Sequence, residues 1–330
     1  MIPVSLLATS SMLPGRPITS EEVAARAIPP LDPGYAKERA GIVRRHCVER
    51  ETRSAPIAAG LLRQALAAAD MDARDLRRIV FVSSFGGDWL APSTASRVTD
   101  ELGLSGQCDC FDLNNACIGF LSGLDVAARS VATGLGPVAV VVVEILSDML
   151  TPEDRRCLAV FGDAAAAVVL GPGSAEYGVL GTSLHNDPTP GLTVYLKHPR
   201  WTGAMEPLRF GMGNRAMAEA AVGYMVGAAR QALAQAGMRI HDVDWILPHQ
   251  PNGPMFDQTL DALEVPRHKA IKLVHEIGST GAAAIPFSLD QLVQRGVRPG
   301  DTVLMVGVGG GAGYGATVLR VGNVRSGSKT

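Results

Sequence analysis

The amino-acid sequence predicts an α/β fold made of two similar halves, arranged in stacked α-β-α-β-α layers. Strand-like and helix-like segments alternate along the 330 residues. The same order of elements occurs twice, and in each half a helix ends before a glycine-containing turn and a buried strand. A hydrophobic content of 47% with 37 glycines suits a chain of this length with a large buried core.

The first half contains four strand-like segments after an apolar N-terminal strand. RIVFVSS (78–84) is followed by CFDL (110–113), which passes abruptly into a helix of small and apolar residues. The β-branched run PVAVVVVEIL (137–146) is too short to span a membrane and predicts a buried central strand. AAAAVVLG (164–171) predicts the last strand of this half.

The second half repeats this order. DWILPHQ (244–250) predicts a strand that precedes a helix, and a polar turn at 277–281 opens a second helix. DTVLMVGVG (301–309) and GATVLR (315–320) predict the last two strands.

GPGSAEYG (171–178) interrupts the pattern between the halves. We therefore expect one unit over residues 1–175 and another over residues 176–330.

Cys117 is the candidate nucleophile, because it lies where the CFDL strand passes into its helix. A thiol at such a turn meets the positive end of the helix dipole, and backbone N–H groups there stabilise negative charge on sulfur or on an attacked carbonyl. A lone cysteine in an apolar segment is also typical of a small buried side chain.

Three downstream segments favour the nucleophile. His249 ends a buried strand, Ser279 lies in a glycine-bounded polar turn at a helix start, and glycines 309–311 allow the backbone to approach a reacting group closely. Each segment alone is weak, whereas all of them in this order form a specific constellation.

These segments resemble the ketosynthase III family, the condensing enzymes that initiate fatty-acid synthesis within the thiolase superfamily. AGIVRR (40–45) is similar to the family's TGIxxR segment, and NNACIGFLSGL (114–124) to its AACAGFxYGL nucleophile segment. PEDRRCLAVFGDAAAAVVLG (152–171) resembles DRxxxxxFGDGAGAxVL, and WILPHQPN (245–252) resembles WLVPHQAN. The resemblance runs from about Tyr35 to Arg320 and implies a thiolase-like fold.

The resemblance also implies roles. Cys117 would attack an acyl thioester and form an acyl-enzyme, with the oxyanion held by the backbone N–H groups of Cys117 and Gly310. His249 would take a proton from the incoming nucleophile or donate to a substrate carbonyl. We expect no tightly bound cofactor, since CoA or phosphopantetheine thioesters are the substrates.

The chain departs from the family at the third catalytic position. The family pattern GNTS places an asparagine there, whose amide donates, beside the histidine, to the thioester oxygen of a malonyl donor. Here the letters are GSTG (278–281), and Ser279 takes that place. A serine hydroxyl is shorter and rotates freely, and losing one such donor slows the step by roughly a hundred- to a thousandfold.

Five further positions match residues that bind the pantetheine-bearing substrate. Tyr35 stands where the family has a tryptophan that stacks on adenine, and Arg39 and Arg155 match arginines near the nucleotide. Asn214 matches an asparagine that lines the pantetheine arm, and Asn252 is the last residue of the HQAN motif.

The resemblance implies a homodimer joined through its central sheets. The run VAVVVVE (138–144) with the CFDLNN strand suits such burial, and the residue at the Leu90 position reaches into the partner's acyl pocket. Acyl-CoA, an acyl carrier protein or both are the expected partners. However, the arginine that contacts the carrier protein is Pro254 here.

Composition excludes other classes of protein. The formal net charge of −2, without a basic cluster, argues against nucleic acid as a partner. The N-terminus lacks the basic start of a secretory signal, so we expect a cytoplasmic protein without a membrane span. The odd, scattered set of cysteines predicts free thiols and no metal site; the five are Cys47, Cys108, Cys110, Cys117 and Cys157.

We therefore expect an acyltransferase or condensing enzyme that works through an acyl-cysteine, in specialised or fatty-acid-derived biosynthesis. One alternative is a decarboxylative 3-oxoacyl synthase III that uses malonyl donors. A second is a non-catalytic partner subunit, against which the presence of both Cys117 and His249 argues. A degradative thiolase is disfavoured, because thiolases use a further cysteine near the C-terminal strand and none follows Cys157.

Overall fold

The computed structural model describes residues 1–188, 194–211 and 215–328. The strands are β1 (Ile2–Met12), β2 (Arg16–Thr19), β3 (Arg44–Cys47), β4 (Arg78–Val82), β5 (Asp109–Leu113), β6 (Val138–Glu144), β7 (Ala164–Pro172), β8 (Gly178–Asn186), β9 (Val194–Tyr195), β10 (Arg209–Phe210), β11 (Trp245–Pro248), β12 (Thr302–Val308), β13 (Gly313–Arg320) and β14 (Arg325–Ser326). The helices are α1 (Ser20–Arg26), α2 (Tyr35–Ala40), α3 (Ser54–Ala68), α4 (Thr94–Glu101), α5 (Gly119–Ala132), α6 (Arg155–Val160), α7 (Pro199–Thr202), α8 (Arg215–Ala236), α9 (Gly253–Ala262), α10 (Val274–Ile277) and α11 (Ala284–Gln294).

The central sheet runs in the order β11-β12-β13-β8-β1-β7-β6-β4-β5, and β14 pairs with β1. The long strand β1 joins the two parts of this sheet, the part from β11 to β8 and the part from β7 to β5. Most of β1 pairs with β7, whereas its first two residues, Ile2 and Pro3, pair with β8.

The two halves have the same strand pattern. In the first half β4 pairs in parallel with β6, β6 pairs antiparallel with β7, and β7 pairs antiparallel with β1. In the second half β11, β12, β13 and β8 repeat these relations in the same order. The predicted duplication is thus confirmed.

The hydrophobic clusters show the predicted layers. Helices α5 and α11 form the middle layer, because side chains from both parts of the sheet pack against them in one core. Helices α3 and α4 cover the outer face of the first part, and α8 and α9 cover the outer face of the second. All seven residues of β6 are buried, and its valines alternate between the middle core and the outer one. Each buried valine stabilises the fold by about 1.5–3 kcal/mol.

Only one of the two strands expected to join a dimer lies at the edge of the sheet. β6 is paired on both sides, by β4 and β7, so it lies inside the sheet and its burial is explained within one chain. β5 ends the sheet and is only partly buried. We keep the division between residues 175 and 176 as a proposal; it falls in the connection between β7 and β8.

Buried polar side chains hold the segments around the site. Asp163 accepts hydrogen bonds from the backbone N–H groups of Val48, Leu146 and Ser147. Gln250 accepts from the N–H groups of residues 273 and 274 and donates to the carbonyl oxygen of residue 271. These contacts are made deep in the core, so the loops that they join have fixed positions.

Within the described ranges, no helix combines the length and the apolar character needed to cross a bilayer.

Candidate active site

Cys117 lies in a tight turn between β5 and α5. Ala116, just before it, has a left-handed backbone (φ 45°) that is uncommon for a residue with a Cβ. The Asn114 side chain accepts a hydrogen bond from the Ala116 N–H at 3.1 Å, and the Asn115 amide donates to Ser122 at 2.8 Å. These contacts hold the turn, so that the thiol lies at the N-terminal end of α5.

The glycine loop lies against Cys117, and the backbone N–H groups of Gly310 and Cys117 both act to lower the pKa of the thiol. The neighbouring Gly309 explains how the loop comes so close. A Cβ on Gly309 would lie 2.8 Å from the Cys117 nitrogen and 3.2 Å from its Cβ, and neither distance leaves room for a side chain. The structure thus brings both predicted oxyanion donors to the thiol.

The Cys117 thiol is protonated at rest. Burial raises its pKa to about 12, and the nearby Glu144 carboxylate acts in the same direction, while the two N–H groups oppose them. The group therefore needs a proton acceptor when it attacks.

His249 follows β11 and is only 2% exposed. Its backbone N–H donates to the Val306 carbonyl oxygen at 2.7 Å, which fixes it beside β12. Burial lowers the pKa of the imidazole to about 4, so the ring is neutral near neutral pH and can accept a proton.

Ser279 is also buried, and its backbone is held on both sides. Its N–H donates to the Val160 carbonyl oxygen at 2.9 Å, and its own carbonyl accepts from the Gly162 N–H at 3.0 Å. The hydroxyl cannot come nearer to the substrate by backbone movement without breaking these bonds.

Cys117, His249, Ser279, Gly310 and Asn252 line one cavity of about 210 Å³. Its other walls are mostly apolar and include Val160, Phe161, Val194, Phe210, Met255 and Val308. Such a cavity suits an apolar acyl group with polar atoms at one end.

One wall of this cavity is a pair of aromatic rings. Phe161 and Phe210 stack with their centroids 5.7 Å apart, and the guanidinium of Arg156 lies 5.5 Å from the Phe210 ring centre. These contacts give the wall a defined position.

The predicted nucleotide-binding residues lie outside this cavity. Tyr35 and the exposed Arg39 are on α2, and the exposed Arg155 begins α6, a helix in contact with α2. Asn252 has a structural task as well, because its side-chain oxygen caps α9 by accepting from the Met255 N–H at 2.9 Å.

Two further predicted positions lie away from this cavity or outside the described residues. Asn214 lies outside the described residues. Leu90 is 73% exposed and does not line the Cys117 cavity of its own chain.

The sequence pattern did not reveal the contact between Ser84 and Glu144, in which the Ser84 hydroxyl donates to the carboxylate. Both are buried, and Glu144 is the last residue of β6. A charged residue at the end of an otherwise β-branched buried run was the available signal, because an ionised side chain is costly to bury without a reason.

Two family models match the sequence. Residues 111–188 match 3-oxoacyl-[acyl-carrier-protein (ACP)] synthase III, and residues 233–321 match the C-terminal model of the same family. Together the two regions cover about half of the chain.

Solved structures agree over nearly the whole chain. The 3-oxoacyl-(acyl carrier protein) synthase III of Pseudomonas aeruginosa is 29% identical, with a TM-score of 0.88 over 97% of this chain and 99% of that one. The priming β-ketosynthase of a polyketide biosynthetic pathway is 28% identical, with a TM-score of 0.88 over 97% and 96%. OleA of Xanthomonas campestris, at 22% identity and a TM-score of 0.83 over 96% and 98%, shares the fold.

Proposed function

Because this chain belongs to the 3-oxoacyl-[acyl-carrier-protein] synthase III family, we propose that it carries an acyl group on Cys117 and passes it to an acceptor without the family's usual decarboxylation. That it is an acyl-thioester condensing enzyme follows from the family. The proposal concerns how its own residues do this. The observation that carries the proposal is the thiol beside two backbone donors and a neutral histidine, with Ser279 as the third group.

In the first half-reaction the Cys117 sulfur attacks the thioester carbonyl. The developing oxyanion receives hydrogen bonds from the N–H groups of Cys117 and Gly310, and each such donor contributes roughly 3–4 kcal/mol to lowering the barrier. The CoA or pantetheine thiolate leaves, and the acyl group remains as a thioester on Cys117.

In the second half-reaction the acceptor attacks this acyl-enzyme. His249 takes the acceptor's proton, a task for which the neutral imidazole is suited. The tetrahedral intermediate then releases the Cys117 thiolate, and the acceptor carries the acyl group away.

Ser279 argues against malonyl decarboxylation. An enolate oxygen formed from malonyl thioester needs two strong donors, and Ser279 offers a hydroxyl on a backbone that Val160 and Gly162 hold in place. The acceptor is therefore one that needs no decarboxylation by this pair: an alcohol, an amine or an already activated carbon nucleophile.

A substitution at Ser279 tests this assignment. Ser279→Asn should raise malonyl decarboxylation by about a hundredfold, because it restores an amide donor beside His249. Acylation of Cys117 should change much less. Ser279→Ala serves as the control, and it should leave both rates close to those of the wild type. Efficient decarboxylation by the wild type, unimproved by Ser279→Asn, would restore the decarboxylative synthase as the better assignment.

We propose CoA as the acyl donor. The family's carrier-contacting arginine is Pro254 here, and two cations that contact α9 are paired with its acids. Lys272 contacts Asp257 at 2.6 Å, and Arg267 contacts Asp261 at 2.6 Å. Acylation assays with the same acyl group on CoA and on a carrier protein compare the two donors directly.

The exposed arginines of α2 and α6 support the same donor. Arg39 and Arg155 project from helices in contact with each other, where guanidinium groups can pair with nucleotide phosphates. We place the enzyme in the cytoplasm, in specialised or fatty-acid-derived biosynthesis, and propose that it works as a homodimer in which Leu90 reaches the partner's acyl pocket.

A further inference from the structure

The glycine loop that carries Gly310 is hydrogen-bonded to Asp187, the residue that follows β8. The base of the loop is closed by the Gly309 N–H, which donates to the Gly313 carbonyl oxygen at 2.8 Å. Ala312 and Asp187 then pair through two backbone hydrogen bonds. The Asp187 N–H donates to the Ala312 carbonyl oxygen at 3.0 Å, and the Ala312 N–H donates to the Asp187 carbonyl oxygen at 2.8 Å. A displacement of Asp187 would therefore displace the loop.

The side chain of Asp187 is in turn held by helix α8. The Tyr224 hydroxyl, on that helix, donates a hydrogen bond to Asp187 Oδ2. Hydrogen bonds to a carboxylate are stronger than those between neutral groups. One continuous series of hydrogen bonds thus runs from α8 through Asp187 to the glycine loop.

Ring contacts keep Tyr224 in place. Its ring stacks on that of Tyr314 in β13, with the centroids 4.5 Å apart, and His185 of β8 also stacks on Tyr314 at 5.4 Å. Gln231, about two turns further along α8, lies with its Oε1 2.7 Å from His185 Nε2. The cluster therefore joins α8 to β8 and β13, the two strands that meet beside the loop.

The position of this loop decides how well Gly310 can act. Cys117, Gly309 and Gly310 line the same cavity, and a Cβ on Gly309 would lie 2.8 Å from the Cys117 nitrogen. An oxyanion donor has to lie about 2.7–3.1 Å from the oxygen that it stabilises. A misplacement of about 1 Å, even one caused by a distant change, can slow a reaction by about a hundredfold.

We propose that Tyr224 is a positioning residue for the reaction: its hydroxyl, acting through Asp187, holds the glycine loop where the Gly310 N–H stabilises the oxyanion. The inference rests on the proposed acylation of Cys117. Tyr224 does not line the Cys117 cavity, so it acts through the loop and not by contact with the substrate.

Tyr224→Phe tests the proposal, because it removes the hydroxyl and keeps the stacked ring. Single-turnover acylation of Cys117 at saturating acyl-CoA should slow by about tenfold, less than the loss of a whole oxyanion donor would cause. The half-saturating concentration of acyl-CoA should change by less than about twofold. Tyr314→Phe is the matched control, since it removes a hydroxyl from the neighbouring ring and leaves the contact with Asp187. Its rate should stay within about twofold of the wild type.

A double-mutant cycle tests whether Tyr224 acts through Asp187. Asp187→Ala should slow acylation at least as much as Tyr224→Phe does. Adding Tyr224→Phe to Asp187→Ala should slow it further by less than about twofold, because the two side chains act as one unit. Asp187→Asn should acylate faster than Asp187→Ala, since its amide oxygen can still accept from the Tyr224 hydroxyl.

Hydrogen exchange followed by mass spectrometry examines the loop without any acyl donor. In Tyr224→Phe the peptide that contains residues 309–313 should exchange about fivefold faster or more, because Asp187 holds Ala312 less firmly. Peptides from α3 and β6, in the other half of the molecule, should exchange at the wild-type rate. A general loss of stability would accelerate exchange in those peptides as well.

Four results would overturn the proposal: equal acylation rates in Tyr224→Phe and Tyr314→Phe, a change confined to the half-saturating concentration, independent effects in the double variant, or unchanged exchange of the loop. If acyl-CoA fails to label even the wild type, the proposed function fails and hydrogen exchange alone decides about the loop. Faster local exchange in Tyr224→Phe would then uphold the positioning by Tyr224, and unchanged exchange would overturn it.

Discussion

The surroundings of Cys117 shift the pKa of its thiol in opposite directions. Burial and the Glu144 carboxylate raise the thiol pKa, while the N–H groups of Cys117 and Gly310 lower it. The same N–H groups stabilise an oxyanion more strongly than a resting thiol, because they lie in a site from which water is largely excluded. The arrangement therefore favours a thiol that loses its proton during attack over a permanent thiolate.

Glu144 should make the stability of the fold depend on pH. Burial raises the pKa of its carboxyl from 4.5 to about 7. A raised pKa in the folded state means that the contribution of this group to stability is complete below pH 4.5 and is lost as the pH rises through about 7. Glu144→Gln should thus gain stability relative to the wild type by about 1.4 kcal/mol per pH unit between these limits.

Urea unfolding of both proteins at about pH 4.5 and 7.5 measures this difference. His249 is present in both proteins, so its own titration cancels. If the two proteins differ in unfolding free energy by the same amount at both pH values, burial does not raise the pKa of the Glu144 carboxyl.

The sequence reveals those residues that stand at recognisable places along the chain. Cys117, His249, Ser279 and Gly310 each follow a strand or open a helix, and such positions can be found by pattern. Ser84 and Glu144 are 60 residues apart and meet only because β4 and β6 are neighbours in the sheet. No spacing rule predicts that contact, nor the second task of Asn252 as a helix cap.

At the scale of elements, two glycines occupy their positions for different physical reasons. Gly309 has an extended backbone (φ −146°) that any residue adopts, so its lack of a side chain serves close approach to Cys117. Gly60, inside α3, has no atom within 4 Å of the place where a Cβ would stand. These two glycines form a natural comparison.

Gly309→Ala should abolish or strongly reduce acylation of Cys117, because its Cβ would displace the Cys117 nitrogen from the sulfur and the oxyanion. Gly60→Ala should keep full activity and stabilise the protein by about 0.5–1 kcal/mol, since alanine is the better helix former. Single-turnover acylation and thermal unfolding measure both effects. Normal acylation by Gly309→Ala would show that the close approach of this loop to Cys117 is not needed for the reaction.

The sheet order also could not be predicted from the sequence alone. Strands β5 and β6 both have compositions suited to burial, yet β6 lies between two neighbours and β5 at an edge. Hydrophobicity does not distinguish these positions, because burial within a sheet and burial between two subunits select the same residues.

At the scale of the whole molecule, the free edge of β5 bears on assembly. The opposite end of the sheet, at β11, is extended by a parallel bridge between Ile246 and Ala270. An unprotected edge strand tends to pair, and Trp89 and Leu90 expose large apolar side chains in the loop that follows β4. We expect two copies to join their β5 edges about a two-fold axis.

Light scattering at micromolar concentration should therefore give twice the 34.5 kDa of one chain. Leu90→Asp should weaken the dimer, because it would bring a charge into the interface. Ile28→Asp is the control, at an exposed apolar side chain whose N–H donates to the Pro152 carbonyl oxygen. A wild-type mass of one chain would contradict the dimer.

The acyl-Cys117 intermediate is the central claim, and intact-mass spectrometry after exposure to acyl-CoA thioesters tests it most directly. The wild type should gain the mass of one acyl group per chain, and tryptic peptides should place it on Cys117. Cys117→Ala should keep its fold and gain no mass. Acyl groups found chiefly on Cys47, Cys108, Cys110 or Cys157, or an equal gain of mass by Cys117→Ala, would contradict the assignment.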